Sequence, residues 1–178
     1  MPTLGYYLLL AAFAVGAYGA AISVAGARPR SRALVESGAG AMYLLTAIML
    51  AASSVIIHAF VTGDYTIKYV QRYSDSTLPL FYKLASYWGG LDRSIMFWVT
   101  LLSIFSAIAV YVTRERHREL MPYVVAVISV VQTFFLFLMI VHNNPFTTFI
   151  TENPTDGTGL NPLLQNFYMV IHPPTMYL

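Results

Sequence analysis

At 178 residues, 57% hydrophobic and only 10% charged, the chain departs from soluble domains, in which about 25% of residues are charged. Its formal charge of +2 is too small to argue for a nucleic-acid partner. With no cysteine, a disulfide framework, a thiolate nucleophile and a cysteine-based zinc site are all excluded.

Four apolar runs reach the roughly 20 residues that a helix needs to cross a bilayer; they cover about 4–25, 39–61, 94–112 and 122–141. The first lacks a basic flank and is too long for a typical signal peptide, so it reads as a retained span. Ala12, Gly16 and Ala20 recur along it at four-residue spacing, which predicts a face that another helix approaches closely. The link after it carries Arg28, Arg30 and Arg32, and the third link carries Arg114, Arg116 and Arg118, interleaved with Glu115 and Glu119. Basic links face the cytoplasm, or its organellar equivalent. The N-terminus, the segment 62–93 and the tail 142–178 then share the external face. The expected fold class over 1–178 is an all-α integral membrane protein, part of a polytopic membrane domain, with about four transmembrane helices. Its N-terminus is outside, and it carries an aromatic external loop and an external C-terminal His-Pro-Pro loop.

The second link holds Tyr65, Tyr69, Tyr73, Phe81, Tyr82, Tyr87 and Trp88, a composition that fits an interfacial aromatic belt. Gly89 and Gly90 beside Trp88 predict backbone in close approach to a flat group or another helix. Trp88 and Trp98 would lie about 15 Å apart if one helix held both, flanking one membrane interface without touching. The tail has Asn-Pro and Asp-Gly steps, turn chemistry that predicts an ordered loop rather than a fifth span. Residues 163–171 fit a short amphipathic helix before the His-Pro-Pro stop.

Four histidines are the candidates for chemistry. His117 lies in the basic link and reads as solvated or phosphate-facing. His58, inside a span, is a functional candidate by position, with a hydrogen-bonded packing role as the alternative. His142 closes the fourth span, where a cation favours the helix dipole. His172 is followed by Pro173 and Pro174. A residue before proline is pushed toward extended backbone, and neither proline has an N–H to give to a helix. The expectation is an imidazole presented from a stiffened loop, either as a metal ligand or as a loop anchor. No phosphate loop, metalloprotease motif, nucleophile elbow or intramembrane carboxylate pair is found.

Four stretches together resemble the CcmF/NrfE-type cytochrome c haem lyases. They are Leu78-Pro-Leu-Phe-Tyr-Lys83; Trp88-Gly-Gly with Ser94 and Trp98; Asn144-Pro-Phe146; and Asp156-Gly-Thr-Gly-Leu-Asn-Pro-Leu-Leu-Gln165 with Val170-Ile-His-Pro-Pro-Thr-Met-Tyr-Leu178. The resemblance covers roughly residues 40–178. It implies a role in cytochrome c biogenesis, in which haem is joined to the CxxCH thiols of apocytochrome c on the external face of a bacterial inner membrane or an organellar one. It makes His172 an axial ligand to haem iron, with Pro173, Pro174, Trp88, Gly89, Gly90 and Arg93 around the cofactor. The second external ligand and the ligands of a resident haem b fall outside this chain. The implied partners are the remainder of the lyase, a haem-delivery chaperone, apocytochrome c with its thiol-reducing and handling subunits, and membrane lipid; no nucleic acid is implied. Two departures stand out. Arg93 replaces a glycine common in the family, and family members are several times longer, so the resemblance implies that this chain is a fragment or one piece of a split protein. A single piece supplies at most half of a two-histidine site and is not expected to be active alone. The competing reading is a non-catalytic structural subunit of a transporter or respiratory complex.

Overall fold

A computed structural model of the chain describes residues 1–27, 31–90, 93–113, 119–151 and 154–177. Among these residues the architecture is all-helical. The four long apolar helices are α1 (Pro2–Ala27), α2 (Arg32–Thr62), α5 (Ile95–Thr113) and α6 (Met121–Val141), each long and apolar enough to cross a membrane. Between α2 and α5 the expected aromatic loop is instead two short helices, α3 (Lys68–Tyr73) and α4 (Leu80–Gly89). The tail forms a 3-10 turn (Pro162–Leu164) and α7 (Phe167–Tyr177). Arg28, Arg30, Arg114, Glu115, Arg116, His117 and Arg118, on which the orientation argument leans, lie outside the described residues, as does Asn153.

α1 is the wedge of the bundle, packed between α2 and α6. Its buried positions are Gly5, Leu9, Ala12, Gly16, Gly19, Ser23 and Gly26, alternating steps of four and three. That is the 3.5-residue repeat of a helix–helix seam. A strict four-residue step drifts about 40° around a helix each time, so Ala20 has turned half out of the seam and Gly19 takes its place. A methyl group on Gly16 would lie 2.7 Å from Thr133 Oγ1 of α6 and 3.2 Å from Leu45 Cδ1 of α2. At Gly19 it would lie 3.2 Å from Ser129 Oγ and 3.3 Å from Ala41 Cβ. Helices in lipid gain nothing from hiding leucine, so close backbone approach and hydrogen bonds must hold them. Thr46 Oγ1 of α2 accordingly donates to the Ser103 carbonyl of α5 at 2.9 Å.

α2 begins well before its apolar run, in a turn where exposed Arg32 pairs with Glu36 at 2.7 Å. It ends at Gly63, whose φ of 68° gives the left-handed residue that commonly closes a helix. The tail returns across the top of the bundle. Phe146 is buried against Gly5, where any side chain would overlap its ring. An isolated antiparallel bridge joins Ile67 to Thr148.

A second junction ties the tail to the α3–α4 link. The Asp156 carboxylate accepts from Ser76 N at 2.8 Å, Ser76 Oγ at 2.6 Å and Gly157 N at 2.7 Å. The Ser76 hydroxyl, then the Gly157 and Ser76 backbone N–H groups, hold this carboxyl below the usual carboxylate range. Thr158 N donates to Gln71 O at 2.8 Å and Gly159 N to Ser74 O at 3.2 Å, so the tail backbone lies directly on the end of α3.

Two outcomes follow from this packing. Gly16→Leu overfills the α1 seam and should lower stability by about 1–3 kcal/mol. Gly40→Ala, at a helical site with nothing within 4 Å of the added carbon, should be neutral or stabilising; thermal unfolding in one detergent compares them. Asp156 is bound better as a carboxylate in the folded state, so its contribution is present above the unfolded pKa of about 4 and disappears as pH falls through the lower folded value. The gap in melting temperature between the unmodified protein and Asp156→Asn should therefore hold at neutral pH and close in acid.

Candidate functional site

The last turn of α4 gathers the unusual residues. Consecutive side chains on a helix diverge by about 100°, and Ser86, Tyr87 and Trp88 use this to engage three different elements. Ser86 Oγ lies 2.6 Å from the Tyr73 carbonyl at the end of α3 and 2.9 Å from its own Tyr82 carbonyl. Tyr87 reaches down between the spans, its hydroxyl 2.7 Å from Ser53 Oγ of α2 and 3.3 Å from Thr100 Oγ1 of α5. Ser53 and Thr100 are themselves 2.9 Å apart, which closes a triangle. Trp88 turns outward, and its indole Nε1 donates to the Val170 carbonyl of α7 at 3.0 Å.

The carbonyls at the end of α4 have no donor within their own helix. Tyr69 supplies one from α3, with its hydroxyl 2.9 Å from Tyr87 O and 3.1 Å from Ser86 O. Burial, reinforced by the nearby Tyr87 and Tyr73 and opposed by Arg93, drives the Tyr69 phenol pKa far upward. It therefore stays protonated and remains a donor. The close approach predicted for the glycine pair is found at Gly90, where a methyl group would lie 2.6 Å from Tyr69 Cε2 and 3.0 Å from Tyr73 Cε2. Gly89 is in ordinary contact with Leu160 and Leu164, each 3.4 Å from such a group. The Arg93 guanidinium stacks 5.8 Å from the centre of the Tyr69 ring, and its Nε is buried with no hydrogen-bond partner among the described residues.

His172 is not in an extended loop. The expected His-Pro-Pro stop is overturned: α7 runs through His172, Pro173 and Pro174 to Tyr177. The helix survives because tertiary partners replace part of what the prolines remove. Pro174 cannot donate to the carbonyl four residues back, which is Val170, and Trp88 fills that acceptor. Asn166 Oδ1 accepts from Tyr168 N at 3.0 Å and supports the first turn. Phe167 stacks on Phe81 of α4, with ring centres 5.8 Å apart and planes 22° apart. Val170 is buried and Pro173 lines the seam against Trp88, whereas His172 is exposed.

The predicted site residues thus divide into two groups. Trp88 and Gly89 meet the α7 region, including Pro173; Gly90 and Arg93 meet Tyr69. Trp88 and Trp98 lie on separate helices with Phe97 against both, at 5.4 and 5.0 Å between ring centres. His58 is exposed on α2, and His142 caps the end of α6. Sequence reasoning missed Ser53, Thr100, Val170 and the capping role of Tyr69. Ser53 and Thr100 were findable as hydroxyls set in apolar spans; Val170 acts through its backbone and leaves no side-chain signal. Among the described residues no three metal-ligating side chains cluster.

Residues 88–178 match the family model described as Cytochrome C assembly protein. The chain is 29% identical over 178 residues to the cytochrome c-type biogenesis protein CcmF of Pseudomonas fluorescens, covering 100% of this chain and 27% of that one. It is 33% identical over 175 residues to CycK of Rhizobium meliloti (98% and 26%) and 29% identical over 177 residues to NrfE of Haemophilus influenzae (99% and 28%). It therefore spans about a quarter of the length of these curated relatives. A solved structure, "Cytochrome c Heme Lyase CcmF", shares the fold with a TM-score of 0.79 at 20% identity, over 99% of this chain and 27% of that one. Four candidate spans and a family match across the α4–α7 half make the chain an integral membrane protein that belongs to the cytochrome C assembly protein family.

Proposed function

We propose that this chain forms part of a membrane haem lyase in cytochrome c biogenesis, and that His172 contributes one axial ligand to haem iron on the external face. The observation that carries the reading is the exposure of His172 on a helix whose opposite face is docked. No described residue hydrogen-bonds its imidazole, so a ring nitrogen is available to a metal. The fit is to one end of an axial pair, because no cluster of three potential ligands accompanies it among the described residues. The second external ligand, and the histidines that would hold a resident haem b, belong to other segments.

Arg93 fits the same reading. A buried guanidinium Nε without a partner among the described residues is a donor that a carboxylate, such as a haem propionate, completes by a charge-assisted hydrogen bond. Trp88, Gly89 and Pro173 form the packed base from which His172 is presented, Pro174 opens the Val170 carbonyl to Trp88, and Gly90 lets Tyr69 close beneath Arg93. Haem brings the vinyl groups to which apocytochrome thiols add; the protein contributes placement and surroundings. The basic links would face the cytoplasm of a bacterial inner membrane, with α3, α4 and α7 external. The partners would be the rest of the lyase, a haem-delivery chaperone, and apocytochrome c with its handling subunits.

In cells whose cytochrome c depends on this protein, His172→Ala should abolish holocytochrome c or lower it at least tenfold while membrane insertion is unchanged. Added imidazole should restore much of the yield, since a free ligand replaces the missing side chain. A normal yield in this variant would sink the ligand role and favour a structural subunit.

A further inference from the structure

We infer that Trp88 is a positioning residue, whose indole N–H sets the direction of His172 by occupying the backbone carbonyl that Pro174 leaves open. The inference rests on reading His172 as a ligand and adds to it the device that aims the ligand.

An uninterrupted helix satisfies its own carbonyls and offers a neighbour no strong acceptor along its length. Its rotation about its axis is then fixed by side-chain packing alone. Pro173 and Pro174 change this in α7. They remove the N–H groups that would bond Met169 O and Val170 O, creating acceptors in the middle of the helix. Val170 is only 3% exposed, so water is a poor substitute, and an unpaired buried carbonyl is costly. Trp88 Nε1 meets the Val170 carbonyl at 3.0 Å. Val170 and His172 are two positions apart, about 200° around the helix. The hydrogen bond therefore holds the side of α7 that faces away from the imidazole. In this arrangement Pro174 acts on the carbonyl of Val170, two positions before the histidine, rather than by stiffening the histidine itself.

The donor is itself well placed. Trp88 follows Tyr87, whose hydroxyl is locked to Ser53 and Thr100, and its ring packs against Phe97 at 5.4 Å. At the start of α7 the Phe81–Phe167 stack gives a second hold. Two holds nearly a turn apart, one of them a directional hydrogen bond, define both the axis and the rotation of the helix. Position and direction of His172 then trace back, through Trp88, to the spans.

The test uses the full protein with residue 88 changed to phenylalanine (Trp88→Phe) and, separately, to benzothienylalanine, which keeps the bicyclic shape and lacks the N–H. Both should speed amide hydrogen exchange in residues 167–177 by about tenfold, the loss of one buried hydrogen bond. Both should lower holocytochrome yield severalfold, with added imidazole restoring it because a free ligand needs no aiming. Wild-type exchange and yield with benzothienylalanine would show that ring packing, not the N–H, is what matters, and would overturn the inference. Faster exchange with an unchanged yield would overturn it too. His172→Ala serves as the control. A normal yield there strikes the ligand reading, while the exchange data still report whether the tether exists.

Discussion

The hydroxyl of Tyr87, closed into a triangle with Ser53 and Thr100, joins the half of the molecule built for lipid to the half built for water. Each member of the triangle comes from a different helix, α4, α2 and α5. Thr100 donates to its own Met96 carbonyl, so within the triangle it accepts, and the hydrogens of Tyr87 and Ser53 serve the two shorter edges, at 2.7 and 2.9 Å. A hydrogen bond in such surroundings is worth only about 1 kcal/mol net, and a buried hydroxyl left unpaired costs as much or more. The triangle therefore acts less as glue than as a register mark, since α4 has one depth and one rotation at which all three oxygens are satisfied. Once α4 is set, Ser86 and Trp88 are aimed as well, and α3 and α7 dock where those residues point.

The membrane half obeys a different constraint. α1 offers glycine, alanine and serine to α2 and α6 because hydrocarbon gives helices no reason to hide large apolar groups from it. The outer faces show the converse. Val124, Val127, Val131 and Phe134 of α6 are exposed, as suits surface that meets acyl chains. Small residues dominate the α1 seam and large ones the lipid face, while Leu45, Met49, Leu136 and Met139 fill the interior. The same logic explains why the polar groups in the spans are mostly hydroxyls, which can return a hydrogen bond to the preceding turn; Thr133 does so to Ser129 O at 2.6 Å.

The spans were legible because length and hydropathy decide them, and the glycine pair was legible because only glycine admits the Tyr69 ring at residue 90. The heptad of α1 was half legible: Ala12 and Gly16 were seen, but the four-residue step led to Ala20 instead of Gly19. The failures have one cause. Local rules placed His172 in extended backbone and kept helix out of the aromatic segment, yet tertiary hydrogen bonds outweighed them. A proline in a helix is costly chiefly through the carbonyl it orphans and the clash it creates, and the first of these is offset when another element supplies a donor. Trp88 does so from 82 positions away in the chain, a distance at which single-sequence reasoning sees no connection. The resemblance carried by Trp88-Gly-Gly and His-Pro-Pro did name both partners, though without the bond between them.

That bond changes what the His-Pro-Pro sequence means physically. If the prolines acted locally, any rigid loop could present the imidazole, and Trp88 would be free to serve as part of a cofactor wall. With α7 helical, the prolines and the tryptophan form one unit, since each proline-vacated acceptor needs a donor and the indole is already committed to one. An imidazole raised on this unit is held at its base and open at its tip. In the role proposed above, His172 would hold haem from one side only. That would leave the other side open to a partner segment and to the protein that receives the haem.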